Sequence, residues 1–193
     1  NTLVLVSTDT DADFGPALSL YRASASSAAD NDGLGQINLQ GLNDANQATT
    51  YAQQFAMIED ASDGTEDGMF ILKTIVNGST RSRMAMTSAS GTVFNEDGQD
   101  LDFRVESDGN ANMLFVDAGN DNVGIGQSSP ASYYSQFRTL VVASSGANGI
   151  TVVSGTSNNG TLAFADGTSG NEAYRGFVQY DHNTDALALG SAG

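Results

Sequence analysis

Hydrophobic and polar positions alternate in short stretches along the whole chain. The alternation is clearest over residues 101–106, where Leu101, Phe103 and Val105 fall on one side and three charged residues on the other. Because successive side chains of a β-strand point to opposite faces of a sheet, this pattern predicts half-buried strands. Similar apolar or alternating stretches predict strands at 3–6, 17–21, 36–40, 113–116, 123–125, 150–153, 161–164, 177–180 and 187–189.

Turn signals separate these stretches. Asp or Asn followed by Gly occurs at Asp32, Asp63, Asp67, Asn77, Asp97, Asp108 and Asp166. Such pairs favour the positive φ angles of tight hairpin turns. From Asp97 to Gly119 the turn signals follow one another at intervals of about ten residues, a spacing typical of short antiparallel strands. We therefore predict an all-β fold of short antiparallel strands.

Two segments carry helical signals. Residues 43–58 contain Ala, Gln and Met, which are good helix formers. The alternation of Tyr51, Phe55 and Met57 with their neighbours suits a strand equally, and we favour a strand. Residues 129–134 predict one short helical turn with Pro130 at its first position.

The chain repeats itself at an offset of 137 residues. Residues 1–7 (NTLVLVS) align with residues 138–144 (RTLVVAS). Four later segments also correspond: 17–21 with 150–153, 35–40 with 160–164, 55–60 with 177–181, and 70–76 with 186–189. We predict a first β unit at 1–91, an acidic β-meander at 92–127, a junction at 128–138, and a second, shorter copy of the unit at 139–193. Both ends are expected to have been cut or processed from a longer polypeptide.

Each predicted sheet has too little apolar surface to close a core alone. At about 25 cal/mol per Å² buried, against about 1.5 kcal/mol of entropy per ordered residue, the folding balance is close to zero. We therefore expect an elongated, modular chain that shares its core with other copies, intertwined or packed around an axis. A trimer is the expected homo-oligomer, although the residues alone do not distinguish it from other assemblies.

The composition excludes several classes of function. The net charge of −16 opposes binding to nucleic acid and to anionic membranes. No apolar run reaches the roughly 18 residues of a membrane-spanning helix, so we expect no membrane insertion. The chain has no Cys and one His, which removes thiol chemistry and most metal and triad arrangements. This composition is typical of an extracellular or particle-surface structural protein.

Acidic residues form two candidate sites. Residues 9–13 (DTDAD) resemble the start of a calcium loop, but Phe14 and Leu20 stand where an EF-hand needs Gly and Glu, so a solvated turn is favoured over a looser cation site. A second cluster could supply the acid pair of a glycan-cleaving enzyme. We favour a solvated strand face that protects a sheet edge. Its members are Glu96, Asp97, Asp100, Asp102, Glu106 and Asp108.

Three further motifs have weak chemical signals. Gly124-Ile125-Gly126 lacks the third Gly and the helix of a phosphate loop, and it predicts a strand end where backbones approach closely. His182, beside Asp181 and Asp185, is interpreted as a surface turn residue rather than a base or metal ligand. An aromatic cluster could stack on a sugar, although packing where two modules meet is favoured. It comprises Tyr133, Tyr134 and Phe137. No serine lies in a Gly-x-Ser-x-Gly frame.

Two parts of the chain resemble a known family. Residues 93–110 (VFNEDGQDLDFRVESDGN), continued through 114–117 (LFVD) and 122–126 (NVGIG), are similar to repeat segments of tailed-phage tail fibres, notably those of marine phages. Residues 176–182 (GFVQYDH) resemble another segment of those proteins. The resemblance is strong over 92–130 and 174–190 and weaker over 1–90. It implies a β-rich, trimeric fibre shaft or domain; the self-cleaving C-terminal chaperone that such proteins often carry has no counterpart here.

Pattern and resemblance together predict a non-enzymatic structural component of a phage fibre, on the virion surface, that supports host attachment. The expected partners are other copies of the chain, other virion proteins, and a host surface glycan or protein. No catalytic residue, metal or cofactor is predicted, and ligand-binding residues stay open. The alternatives are a tailspike-like protein that binds or cleaves carbohydrate, and a subunit of a bacterial adhesin or filament.

Overall fold

The computed structural model describes residues 2–8, 10, 14–23 and 27–192. Strands make up 42% of the chain and helical turns 4%, and the described residues include no α-helix. The strands form three sheets of five, four and three strands. The predicted all-β class with antiparallel strands is therefore confirmed.

The first sheet is a five-stranded antiparallel meander whose strand order follows the chain. Its strands are β1 (Gly33–Leu42), β2 (Ala48–Asp60), β3 (Asp67–Val76), β4 (Ser79–Thr87) and β5 (Gly91–Phe94). The segment 43–58, which suited helix or strand, therefore forms most of β2, as favoured. Asn77 and Gly78 join β3 to β4 with φ angles of 48° and 79°, and Val76 pairs with Ser79. This confirms the tight hairpin turn that the Asn-Gly pair predicted.

The second sheet has the order β6 (Phe103–Val105), β7 (Leu114–Asp117), β8 (Asn122–Ile125) and β9 (Leu140–Val142). The strand predicted over 101–106 keeps only three residues. Asp102, just before this strand, does not pair through its backbone. Instead, its carboxylate accepts a hydrogen bond from the backbone N–H of Ala118 at 3.1 Å. Pro130–Ser132 forms the predicted helical turn, a 3₁₀ turn that begins at the proline.

The third sheet contains β10 (Asn159–Phe164), β11 (Gly176–Asp181) and β12 (Ala186–Ser191), antiparallel and in chain order. A 3₁₀ turn at Gly170–Tyr174 lies between β10 and β11. The chain divides into two compact units, 1–141 and 142–193, and this sheet belongs to the second.

Corresponding segments of the sequence repeat have similar local surroundings. β1–β3 and β10–β12 are both antiparallel meanders in chain order. In the first unit, a Cβ placed on Gly35 would lie 2.9 Å from the Cβ of Leu20. In the second, a Cβ on Gly160 would lie 3.8 Å from Cγ1 of Val152. In each unit an apolar segment thus lies beside the glycine of the first strand of the meander.

Three strand predictions are wrong for the single chain. Residues 3–6, 17–21 and 150–153 belong to no strand, and their apolar side chains are exposed, for example Val6 at 73% and Val153 at 84%. An apolar run forms a strand only when a neighbouring backbone takes up its N–H and C=O groups, and no described residue pairs with these runs in a strand. Conversely, β4 and β5 had not been predicted.

Very little of the chain is buried. Among the described residues, the buried hydrophobic side chains are Ala85 in β4, Phe115 in β7 and Val141 in β9, together with Pro130. All four lie in the first unit. From 142 to 192 no residue of any type is buried.

Candidate functional site

Three carboxylates of the acidic cluster at 96–108 contact the backbone of other segments. Oδ2 of Asp97 accepts the N–H of Ser82 at 2.9 Å, and Ser82 is only 5% exposed. Asp102 bonds the backbone across the second sheet, as described above. The Asp100 carboxylate lies so close to Gly119 that a Cβ there would be 2.5 Å from Oδ1. All six members of the cluster are exposed, which agrees with the solvated face expected from the sequence, and three of them also contact the backbone of other segments.

We expect Asp97→Ala to lower the free energy of unfolding by about 1–3 kcal/mol, because it leaves the buried N–H of Ser82 without an acceptor. Asp97→Asn keeps an oxygen in place and should restore most of the loss. Urea unfolding followed by circular dichroism measures both. Glu96→Ala, at the exposed neighbouring position, is the control; an equal loss there would contradict the specific role of Asp97.

The Gly124-Ile125-Gly126 segment is a strand end, not a phosphate loop. A Cβ on Gly124 would collide with the backbone carbonyl oxygen of Gln127. Gly126 has a φ of 73°, and its N–H donates to the carbonyl oxygen of Asn112 at 2.8 Å. The predicted close approach of backbones is confirmed.

His182 follows β11 at the turn into β12. The adjacent Asp181 carboxylate accepts the N–H of Asn183 at 2.8 Å and the hydroxyl of Thr184 at 2.9 Å, and these bonds lower the pKa of Asp181. The Tyr180 hydroxyl donates to Oδ1 of Asp185 at 3.2 Å, and this carboxylate raises the pKa of Tyr180. The His182 ring meets the Tyr180 ring edge-on at 4.9 Å between centroids. His182 therefore belongs to a hydrogen-bonded turn, as interpreted from the sequence.

The calcium-loop segment 9–13 lies outside the described residues except for Thr10. Within the described part of the chain, no group of three or more His, Asp or Glu side chains could hold a metal ion.

The aromatic cluster is exposed. The rings of Tyr134 and Phe137 lie 5.4 Å apart at 44° to one another, and these side chains are 64% and 76% exposed. The Tyr133 hydroxyl accepts a hydrogen bond from Nε2 of Gln127 at 3.1 Å, which fixes this ring at the start of the junction. Both interpretations from the sequence, sugar stacking and packing between modules, remain predictions.

Exposed apolar side chains are the most prominent surface feature, and the sequence did not predict which strands would carry them. The accessible area of the chain is 13,996 Å². A compact monomer of this mass exposes about 8,700 Å², and two separate globules the size of its units about 10,000 Å² in total. The excess of roughly 4,000–5,000 Å² is of the order buried in obligate assemblies. The candidate functional surface therefore combines uncovered sheet faces with exposed apolar segments outside the strands, such as 3–6 and 150–153.

Comparison with protein families and with curated proteins assigns this chain to no family. A scan against protein-family models finds no match, and a search of curated proteins finds no significant match. No helix among the described residues is long and apolar enough to cross a membrane.

Proposed function

We propose that the chain is a non-enzymatic structural component of a phage fibre, either a tail fibre or another appendage of the virion. It functions as a homo-oligomer, with a trimer as the expected form, and it supports attachment of the particle to its host. The observation that carries the proposal is the large exposed apolar area of an otherwise ordered all-β chain.

If several copies of the chain form one hydrophobic core together, the exposed apolar area of each copy is accounted for. Burial of apolar surface contributes about 25 cal/mol per Å², so the apolar part of the roughly 4,000–5,000 Å² of excess area favours assembly over the isolated chain. Obligate assemblies bury 2,000–5,000 Å² or more and have apolar interfaces that resemble the core of a domain. Side chains that are exposed in one chain become the interior of the assembly.

The charge of the chain suits an appendage that must not aggregate. With −16 per chain, assembled fibres repel one another, and salt or divalent cations weaken the repulsion. The proposed partners are other copies, other virion proteins, and a host glycan or protein. The resemblance of residues 93–126 and 176–182 to tail-fibre repeats is what selects the virion for this proposal.

Analytical ultracentrifugation of the whole chain at micromolar concentration tests the shared core. We expect an assembly of three chains of 19.9 kDa each and no folded monomer. A stable folded monomer would contradict the proposal.

Immunogold labelling tests the location on the virion. Antibodies against the chain should label the appendages of tailed-phage particles in which mass spectrometry detects it. Labelling of filaments on a bacterial surface, without a capsid, would favour the adhesin alternative.

The exposed ring pair Tyr134–Phe137 favours carbohydrate binding as a second candidate function. Exposed aromatic faces suit stacking against the apolar face of a sugar ring. A glycan array and a reducing-sugar assay on the assembled protein decide this. Neither binding nor release of sugar would dismiss it.

A further inference from the structure

One face of the third sheet is apolar across all three strands. Leu162 in β10 lies opposite Val178 in β11, which lies opposite Leu189 in β12. In the next row, Gly160, Tyr180 and Leu187 lie opposite one another. Phe164 continues the β10 row, because strand residues two apart share a face. No charged residue belongs to this surface, which we call the apolar face. Its side chains are Leu162, Phe164, Val178, Tyr180, Leu187 and Leu189.

The opposite face of the same sheet is different. Thr161, Gln179 and Ala188 form its central row, and Nε2 of Gln179 donates to Oγ1 of Thr161 at 3.1 Å. The polar side chains of this face form hydrogen bonds with each other or with water when the face is exposed to solvent. Ala163 and Phe177 also lie on this face, but its apolar side chains are fewer than those of the apolar face. A sheet with two unequal faces buries the more apolar one.

Among the described residues, Val152 lies beside Gly160 on the apolar face but leaves most of it in solvent. Leu162, Leu187 and Leu189 are 58%, 69% and 76% exposed. Phe164 is 59% exposed, and even Tyr180 is 38% exposed. At about 200 Å² for each full side chain, the six expose roughly 700 Å², near the ~800 Å² that each partner contributes to a standard interface.

Contact with the segment that contains Val152 does not give the second unit a buried core. No residue from 142 to 192 is buried, so its sheet lacks the packed side that a three-stranded sheet needs for independent stability. A surface on which folding itself depends must be covered whenever the chain is folded. Another copy of the chain is the one partner that is always present at equal concentration.

We propose that the apolar face of β10–β12 is sealed by the same face of further copies, which makes residues 142–193 a self-association module of the chain. This inference rests on the proposed homo-oligomer and specifies where its copies meet. Apolar surfaces without charge can face each other around a symmetry axis, while the acidic residues of each copy remain in solvent.

Cysteine crosslinking tests the geometry without removing the fold. The chain has no Cys, so a single substitution places one thiol at a chosen position. Leu187→Cys should form disulfide-linked dimers under mild oxidation at least ten times faster than Ala188→Cys, which places the thiol on the opposite face of the same strand. Equal rates for the two variants would overturn the inference.

Charge substitution tests the energetics. Leu187→Asp with Leu189→Asp should weaken self-association at least about 100-fold, because two apolar side chains would be replaced by buried charges. Ala188→Asp adds the same kind of charge to the other face and should leave the oligomer intact. Sedimentation measures association, and circular dichroism checks the β content of each variant.

The outcomes separate this inference from the proposed function. If the double Asp variant assembles as the wild type does, the apolar face is not the contact, and the homo-oligomer stands. If the wild-type chain is a folded monomer at tens of micromolar, the shared core fails and the inference fails with it. If the double variant and Ala188→Asp dissociate equally, face specificity is refuted.

Discussion

Phe115→Ala is expected to lower the free energy of unfolding by about 3–5 kcal/mol, the usual cost of emptying a large buried aromatic site. Phe115 is 8% exposed and lies in β7, where it pairs with Arg104 on one side and Gly124 on the other. With so few buried side chains, the first unit has little packing elsewhere to compensate. Thermal unfolding followed by circular dichroism should show a fall in Tm of about 10 °C.

Phe137→Ala removes the same atoms from a side chain that is 76% exposed in the single chain, so a loss of stability there reports contacts between copies and not the core of the first unit. The variants must be compared at one protein concentration, because the Tm of an oligomer depends on concentration. A Phe115→Ala variant that melts within a degree or two of the wild type would contradict the assignment of Phe115 to the core.

Gly124→Ala is expected to disrupt the second sheet at a cost of about 3 kcal/mol. The added Cβ would collide with the carbonyl oxygen of Gln127, which is backbone and cannot rotate away. Either β8 or the segment after it must move, and the bond from Gly126 to Asn112 would be strained with it. Urea unfolding should show a lower midpoint with little change in slope.

Gly109→Ala is the control for this change. Gly109 lies in the loop between β6 and β7, and a Cβ there would have no atom within 4 Å. Its substitution should leave the midpoint near that of the wild type. If Gly124→Ala proved equally neutral, the close backbone approach at β8 would be wrong.

Turn chemistry and alternation predicted the strands that are regular. The Asn77-Gly78 pair located a hairpin, and alternation located most of β1, β2, β10, β11 and β12. β4 was missed because of a bulge: Leu72 pairs with Met84 but Lys73 pairs with Ser82, so Arg83 is an extra residue that breaks the period of two. The polar composition of Ser79–Thr87 conceals the strand further.

The candidate site also combines features that the sequence predicted with features that it did not. The sequence favoured a solvated face for the carboxylates of 96–108, but it did not reveal that Asp97 and Asp102 accept backbone N–H groups distant in sequence. Those bonds depend on which loops meet, and sequence spacing does not encode that. Alternation located the strands of the third sheet and composition predicted an incomplete core, whereas the particular side chains left exposed were known only from the structure.

By itself the sequence determined the all-β class, the positions of many turns and the shortage of apolar residues, because these depend on local φ preferences, on period-two patterning and on composition. Only the tertiary structure decided which apolar runs became strands and which faces stayed uncovered. The segments 3–6 and 150–153 have the composition of strands, but a strand also requires a partner backbone, and no described part of the single chain provides one.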